Sequence, residues 1–247
     1  MKQYGLIGFP LAHSFSRQFF TKKFQRERID AEYLNFEIED ISRIREIVCK
    51  HPQLKGLNVT IPHKESVIPF LDDISEEAKK ISAVNAIKIK HNQLIGYNTD
   101  YIGFKNSISP LLRPEIHQRA LILGTGGASK AVAQALTDLG LEWKYVSRTK
   151  NENYFTYNEL TSDVLSEYTV IINASPIGTF PNVSECPQIP YEFLTPRHLL
   201  YDLVYNPAET LFLKKGKEKG AIIKNGLEML ELQALAAWEI FNLKIYY

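Results

Sequence analysis

The chain has 247 residues, 45% of them hydrophobic and 23% charged, which excludes wholesale disorder and fits one to two domains at ~100–200 residues each. Lysine and arginine number 29 against 28 acidic residues, for a formal charge of +1, so neither a nucleic-acid-binding surplus nor an acidic tail is present. Residues 4–9 predict a first strand, and residues 18–29 a helix with Phe20 and Phe24 one turn apart. Residues 32–38 read as the next strand, after which Ile41, Ile44, Ile47 and Val48 share a helical face behind a capping Asp40. Residues 55–60 form a strand that ends at Pro62. Residues 83–90 and 93–98 flank a polar His91-Asn92 turn, the pattern of a hairpin.

The pattern restarts near residue 101 with a helix to about residue 112, and residues 119–123 form a strand that runs into Gly124-Thr125-Gly126-Gly127-Ala128-Ser129. The helix that follows carries an apolar stripe of Ala128, Ala131, Val132, Ala135, Leu136 and Leu139 and stops at Gly140. Residues 143–147, 169–173, 198–204 and 221–224 supply further strands, and residues 227–241 the last helix. Strands alternating with helices predict an α/β fold with a mainly parallel sheet and right-handed crossovers. A seam between two domains is expected between residues 99 and 104, and a cleft at such a seam is where ligands are expected.

The N-terminus lacks the continuous apolar stretch of a signal peptide, so an unprocessed chain is expected. No window approaches the ~18 apolar residues of a membrane span. Cys49 and Cys186 lie far apart with no CxxC spacing, which suits a reducing cytoplasm rather than a disulfide framework. The six histidines, His13, His51, His63, His91, His117 and His198, show no ligand spacing, and no metal is expected.

The glycine turn stands where a dinucleotide fingerprint should, with a strand before it and an amphipathic helix after it. Glycines at 124, 126 and 127 would let the backbone approach a pyrophosphate, and the helix N-terminus would supply N–H donors. Ser129 occupies the place of a third glycine or alanine. The next strand ends in Ser147-Arg148-Thr149-Lys150, with none of the acid that would bond a ribose 2′-hydroxyl. A guanidinium and an ammonium suit a 2′-phosphate, hence NADP, unless the two form a solvated loop. Ser14 and Ser16, just before a helix, could hold a small carboxylate or simply cap the helix. Asn58, Thr60, Lys64, Asn85 and Asp100 sit near strand ends, as turn residues or as ligands.

Together the blocks Gly8-Phe9-Pro10-Leu11-Ala12-His13-Ser14-Phe15-Ser16, Asn58-Val59-Thr60-Ile61-Pro62-His63-Lys64, Ala83-Val84-Asn85, Asn98-Thr99-Asp100, the glycine turn, Ser147-Arg148-Thr149, Asn173-Ala174-Ser175-Pro176-Ile177-Gly178, Tyr201-Asp202-Leu203-Val204-Tyr205 and Asn225-Gly226-Leu227-Glu228-Met229-Leu230-Glu231-Leu232-Gln233 resemble, in this order and over essentially the whole chain, the shikimate dehydrogenase family. The resemblance implies two domains with a cleft between them. One is an N-terminal α/β substrate-binding domain, residues 1–100 plus 228–247. The other is a Rossmann-type, doubly wound cofactor domain, residues 101–227. It implies reversible, NADPH-dependent reduction of 3-dehydroshikimate to shikimate in aromatic amino acid biosynthesis, in a cytoplasmic monomer or homodimer with no nucleic-acid or membrane partner. By matching position, Ser14, Ser16 and Tyr205 would bind the substrate carboxylate, and Asn58, Thr60, Lys64, Asn85, Asp100 and Gln233 would surround the ring. Gly124, Thr125, Gly126, Gly127 and Ala128 would hold the pyrophosphate. Ser147, Arg148, Thr149 and Lys150 would hold the adenosine phosphate end, and Leu203 and Gly226 the nicotinamide.

Reducing the ketone needs a hydride and a proton for the developing alkoxide, which a positioned donor can supply without a metal. Lys64 is the expected proton donor and acceptor, with Asp100 orienting it and the reacting hydroxyl. Three positions depart from the family pattern: Ser147 in place of Asn, Glu228 where a small residue is common, and Tyr101 where glycine is frequent. A quinate/shikimate dehydrogenase using NAD or NADP is the nearest alternative. A catalytically silent dinucleotide-binding module would keep the glycine turn and lack Lys64 or Asp100.

Overall fold

A computed structural model describes residues 1–11 and 15–243, arranged as two units, Met1–Thr99 with Gln233–Tyr247 and Asp100–Leu232. The first unit begins with β1 (Lys2–Gly8), α1 (Phe15–Glu27), β2 (Ala31–Glu37), α2 (Ile44–Lys50), β3 (Leu54–Val59) and α3 (His63–Ser66). It continues through β4 (Asp73–Ile74), α4 (Glu76–Ile81), β5 (Ala86–Lys90) and β6 (Gln93–Tyr97). Its sheet runs β2-β1-β3-β5-β6-β4. β1 is parallel to β2 and β3, but β5 is antiparallel to both β3 and β6, so this sheet is mixed. The hairpin expected at His91-Asn92 forms, with φ of 49° and 64° in the left-handed pair that a two-residue hairpin turn requires. Asp40 caps a short 3-10 turn ahead of α2 by accepting from the Ser42 N–H.

The strands of this sheet bury both faces, following their two-residue period. Ile7, Leu57, Val59 and Ile87 face a core with Ile44 and Val48 of α2. Tyr4 and Leu6 face the other way, onto Phe20 and Phe24 of α1 and the chain's last helix through Ala234, Ala237 and Phe241. Gly56 points at that helix, and a Cβ there would overlap the Phe241 ring. Gly56→Ala is therefore expected to lower the unfolding free energy by ~1–3 kcal/mol, the usual cost of overpacking. Denaturant titration checks this, and a variant as stable as the wild type would mean that the ring repacks freely. Lys88 of β5 is 3% exposed, and its ammonium donates to the Ile240 carbonyl at 2.9 Å and to that of Leu243. A cation thus meets the carbonyl end of the last helix, while burial pulls the amine's pKa down.

The second unit contains α5 (Thr99–Ile108), β7 (Arg119–Leu123), α6 (Gly127–Asp138), β8 (Glu142–Ser147), β9 (Tyr154–Thr156), α7 (Ser162–Glu167) and β10 (Val170–Asn173). β11 (Leu199–Asp202), α8 (Leu211–Glu218), β12 (Ile222–Lys224) and the first turns of α9 (Leu227–Asn242) complete it. All six strands are parallel in the order β12-β11-β10-β7-β8-β9, the doubly wound order, with its reversal between β7 and β10. β10 and β11 are buried along their whole length, as a parallel sheet covered on both faces requires. In such sheets a ligand binds beyond the carboxyl ends of the strands, at the reversal. No helix among the described residues is long and apolar enough to cross a membrane.

Candidate functional site

At that reversal the chain leaves β7 through Gly124, whose φ of 108° is open to glycine but strained for any other residue. A Cβ on Gly124 would stand 3.3 Å from the Ser175 nitrogen, so the turn abuts the loop after β10. Gly126 caps α6 with an extended backbone, and nothing lies within 4 Å of where its Cβ would be. The open cradle and the N–H groups of the helix start suit an anion. Ser129 is fully buried beneath the turn, and its hydroxyl donates to the Gly126 carbonyl at 2.6 Å. The serine in the third fingerprint position thus braces the turn from inside.

A groove of about 490 Å³ joins this turn to the end of β8. Residues 124–126 line one side, Ser147, Arg148 and Thr149 another, and residues 174–177 a third. The Thr149 N–H donates to the Ser147 hydroxyl at 3.2 Å, which folds the segment back and leaves Arg148 exposed at the groove. The lining carries one guanidinium and no carboxylate. Gly127, Ala128 and Lys150 do not line it, nor do Leu203 and Gly226. Gly226 is required by contact, because a Cβ there would run into the Leu203 carbonyl. Tyr205, 38% exposed, follows β11.

Behind the loop of residues 174–177 lies a buried polar cluster that the sequence reading left out. Asn173 and Asp202 end β10 and β11 and face each other in register. The Asn173 amide donates to Asp202 Oδ1 at 2.9 Å, and the Thr210 hydroxyl donates to Oδ2 at 2.6 Å. A polar residue closing each of two apolar runs, Val-Ile-Ile-Asn and Leu-Leu-Tyr-Asp, was the available signal. Burial pushes the Asp202 carboxyl up to about 6 from its ordinary 3.8, against its hydrogen bonds, which lower it. The native chain then keeps this proton to about pH 6, while the unfolded chain loses it near 3.8. Between those values the native state binds more protons, so this group's contribution to stability falls as pH rises through the window. Relative to the wild type, Asp202→Asn is expected to gain stability between pH 4 and 6.5, by ~2 kcal/mol at ~1.4 kcal/mol for each tenfold change. Parallel denaturant titrations across that range test it, and a constant difference would refute it.

In the first unit, the predicted substrate residues gather where β3 ends and β5 begins. Asn58 is buried, accepting from the Tyr33 hydroxyl at 2.8 Å and donating to the Asn85 carbonyl at 3.4 Å. Tyr33 also shares a hydrogen bond with Ser16, so Ser16, Tyr33 and Asn58 form a chain. Ser14 lies outside the described residues. Asn85 Oδ1 accepts from the Thr99 N–H at 2.6 Å, and the Thr99 hydroxyl reaches Gln233 Oε1 at 3.4 Å. Thr60 bonds its N–H to the Ile7 carbonyl, and Lys64 accepts from the Val84 N–H through its own carbonyl at 2.7 Å. The side chains of Thr60 and Lys64 are half-buried. Asp100, in the first turn of α5, is nearly buried and belongs to the second unit.

Two of the departures resolve locally. Tyr101 turns toward α6, where its hydroxyl donates to Asp138 Oδ2 at 2.5 Å and receives Lys105 Nζ at 3.1 Å. Glu228 is exposed and ion-paired with Lys224. Among the described residues, no group of three or more His, Cys, Asp or Glu side chains could hold a metal ion.

Residues 6–87 match the family model for the shikimate dehydrogenase substrate binding domain. A relative named shikimate dehydrogenase (NADP(+)), from Clostridium beijerinckii, is 39% identical over 257 residues, covering 98% of this chain and 92% of its own length. The crystal structure of shikimate dehydrogenase 1 from Peptoclostridium difficile superposes with a TM-score of 0.84 at 39% identity, covering 100% of this chain and 94% of that one. That of shikimate 5-dehydrogenase from Thermus thermophilus, in complex with NADP(H) and shikimate, gives 0.84 at 30% identity, covering 98% and 94%. With identity of this order sustained along nearly the whole length, the chain belongs to the shikimate dehydrogenase family.

Proposed function

We propose that the chain is an NADP-dependent shikimate dehydrogenase that reversibly reduces 3-dehydroshikimate to shikimate. The observation that carries this reading is the groove in the second unit. It has an open glycine cradle at a helix N-terminus, and a single guanidinium with no carboxylate where the adenosine end of a dinucleotide would lie. Those residues fit NADP, with residues 124–128 taking the pyrophosphate and Arg148 the 2′-phosphate. Leu203 and Gly226 would adjoin the nicotinamide. When bound, NADPH supplies the hydride.

The Lys64 ammonium gives its proton to the alkoxide oxygen as the carbonyl carbon is reduced, and takes it back in the oxidative direction. Asp100 orders the reacting hydroxyl. Ser14, Ser16 and Tyr205 take the substrate carboxylate, and Thr60, Asn85 and Gln233 the ring hydroxyls. Asn58, with its oxygen and one N–H already engaged, has one N–H left for substrate. Free Cys49 and Cys186 suit a cytoplasmic enzyme. The test is a spectrophotometric assay of reduced nicotinamide with shikimate or quinate and NADP or NAD. Turnover is expected with shikimate and NADP, and preference for quinate or for NAD would overturn the assignment.

A further inference from the structure

We infer that Asp202 is a positioning residue for the dinucleotide groove, acting through Asn173 on the wall formed by residues 174–177; this rests on the NADP site proposed above. Neither side chain lines the groove, and both are fully buried.

Asn173 is what shapes that wall. Its Oδ1 accepts from the Ser175 N–H at 3.1 Å and from the Ser175 hydroxyl at 2.7 Å. Its Nδ2 donates to the Ile177 carbonyl at 3.2 Å as well as to Asp202. One amide therefore clamps both ends of the turn, and it can do so in only one orientation. Rotated by half a turn, it would aim oxygen at the Ile177 carbonyl and nitrogen at the Ser175 N–H, two like-on-like contacts in a buried setting.

At neutral pH, above the range in which it holds its proton, Asp202 selects the productive orientation because an ionised carboxylate only accepts hydrogen bonds. Its Oδ1 takes the Asn173 amide and the Val204 N–H, and its Oδ2 takes the Thr210 hydroxyl at the start of α8. The carboxylate is itself held from three directions, so it cannot swing to suit a flipped amide. Leu203 adds a backbone tie, donating its N–H to the Asn173 carbonyl at 2.9 Å. The wall so fixed comes within 3.3 Å of a Cβ placed on Gly124, where a pyrophosphate would lie, so a small displacement of Ser175 would narrow or open the cradle.

The experiment titrates NADPH into the purified chain by its fluorescence, for the wild type, Asp202→Leu, Asn173→Ala and Asp202→Asn, with thermal melts to establish cooperative folding. Asp202→Leu and Asn173→Ala are expected to raise the NADPH Kd at least ~10-fold, the scale of a lost buried partner. The KM for shikimate at saturating NADP should stay within about twofold, a split that general loss of structure would not give. Asp202→Asn keeps an acceptor oxygen and should restore the Kd to within about threefold. Should Asp202→Leu fail to fold, Asn173→Ala and Asp202→Asn decide. A cooperatively folded Asp202→Leu or Asn173→Ala with wild-type Kd would overturn the inference, as would an Asp202→Asn as weak as Asn173→Ala. A wild-type chain that turns over shikimate but shows no NADPH binding would overturn the NADP site and this inference together.

Discussion

Lys64→Ala is expected to lower kcat for shikimate oxidation at least ~10²-fold while leaving the fold intact. Only the backbone of this residue takes part in the hydrogen bond that fastens its helix. Its carbonyl receives the Val84 N–H, fastening α3 to the segment ahead of β5, and that bond survives any side-chain replacement. The side chain itself is half-buried, so the melting temperature is read beside the kinetics. Loss of a general acid–base group removes an interaction made only in the transition state, so kcat and kcat/KM should fall together. A 10²-fold loss corresponds to ~2.7 kcal/mol of barrier. Stopped-flow traces and steady-state rates, with the melting temperature as control, make the comparison. If turnover persists and only KM for shikimate rises, Lys64 binds the ring and the proton moves elsewhere.

How far this could be read beforehand depends on the range of the forces involved. The strand at residues 119–123 is observed as read, and the helix after it ends at Asp138, just ahead of Gly140, whose φ is 77°. There the signals are local: an apolar run, glycines that only a tight turn needs, and an apolar stripe at helical period. The short elements left no such mark. β4 and β9 span two and three residues, and α3, α4 and α7 four to six, too few for a period to show. α8 is masked by its Lys-Lys-Gly-Lys-Glu end.

Side-chain competition with the backbone explains other differences. The strand read over residues 198–204 stops at Asp202, because the carboxylate takes the Val204 N–H that a continuing ladder would have used. Asn58 illustrates the same limit at the site. Its position at a strand end looked like a ligand's, yet its oxygen is bound to Tyr33, a partner 25 residues away that no local pattern reveals. The wall built on Asn173 and Asp202 was hidden for the same reason, since each residue alone resembles an ordinary strand end.

Arg148→Ala is expected to weaken NADPH by roughly 10–100-fold and NADH by less than about threefold, the scale of charge-assisted hydrogen bonds at ~1.5–3 kcal/mol. Arg148 is exposed at the groove, and the lining holds no acid to neutralise it. A 2′-phosphate would meet its planar fork directly, whereas a 2′-hydroxyl would gain little from it. The local turn does not depend on the guanidinium, because the Ser147 hydroxyl and Thr149 N–H close it. Ser147 is thereby engaged in shaping the segment that presents Arg148. Lys150 lies outside the lining, so Lys150→Ala should cost less than Arg148→Ala and chiefly at low ionic strength, where an exposed charge acts at a distance. Measuring Kd for both reduced cofactors at two salt concentrations separates these contributions. A wild-type preference for NADPH that vanishes in Arg148→Ala assigns the discrimination to one side chain. Equal losses for NADPH and NADH would instead make Arg148 a support for the groove, and the phosphate would have to be recognised elsewhere.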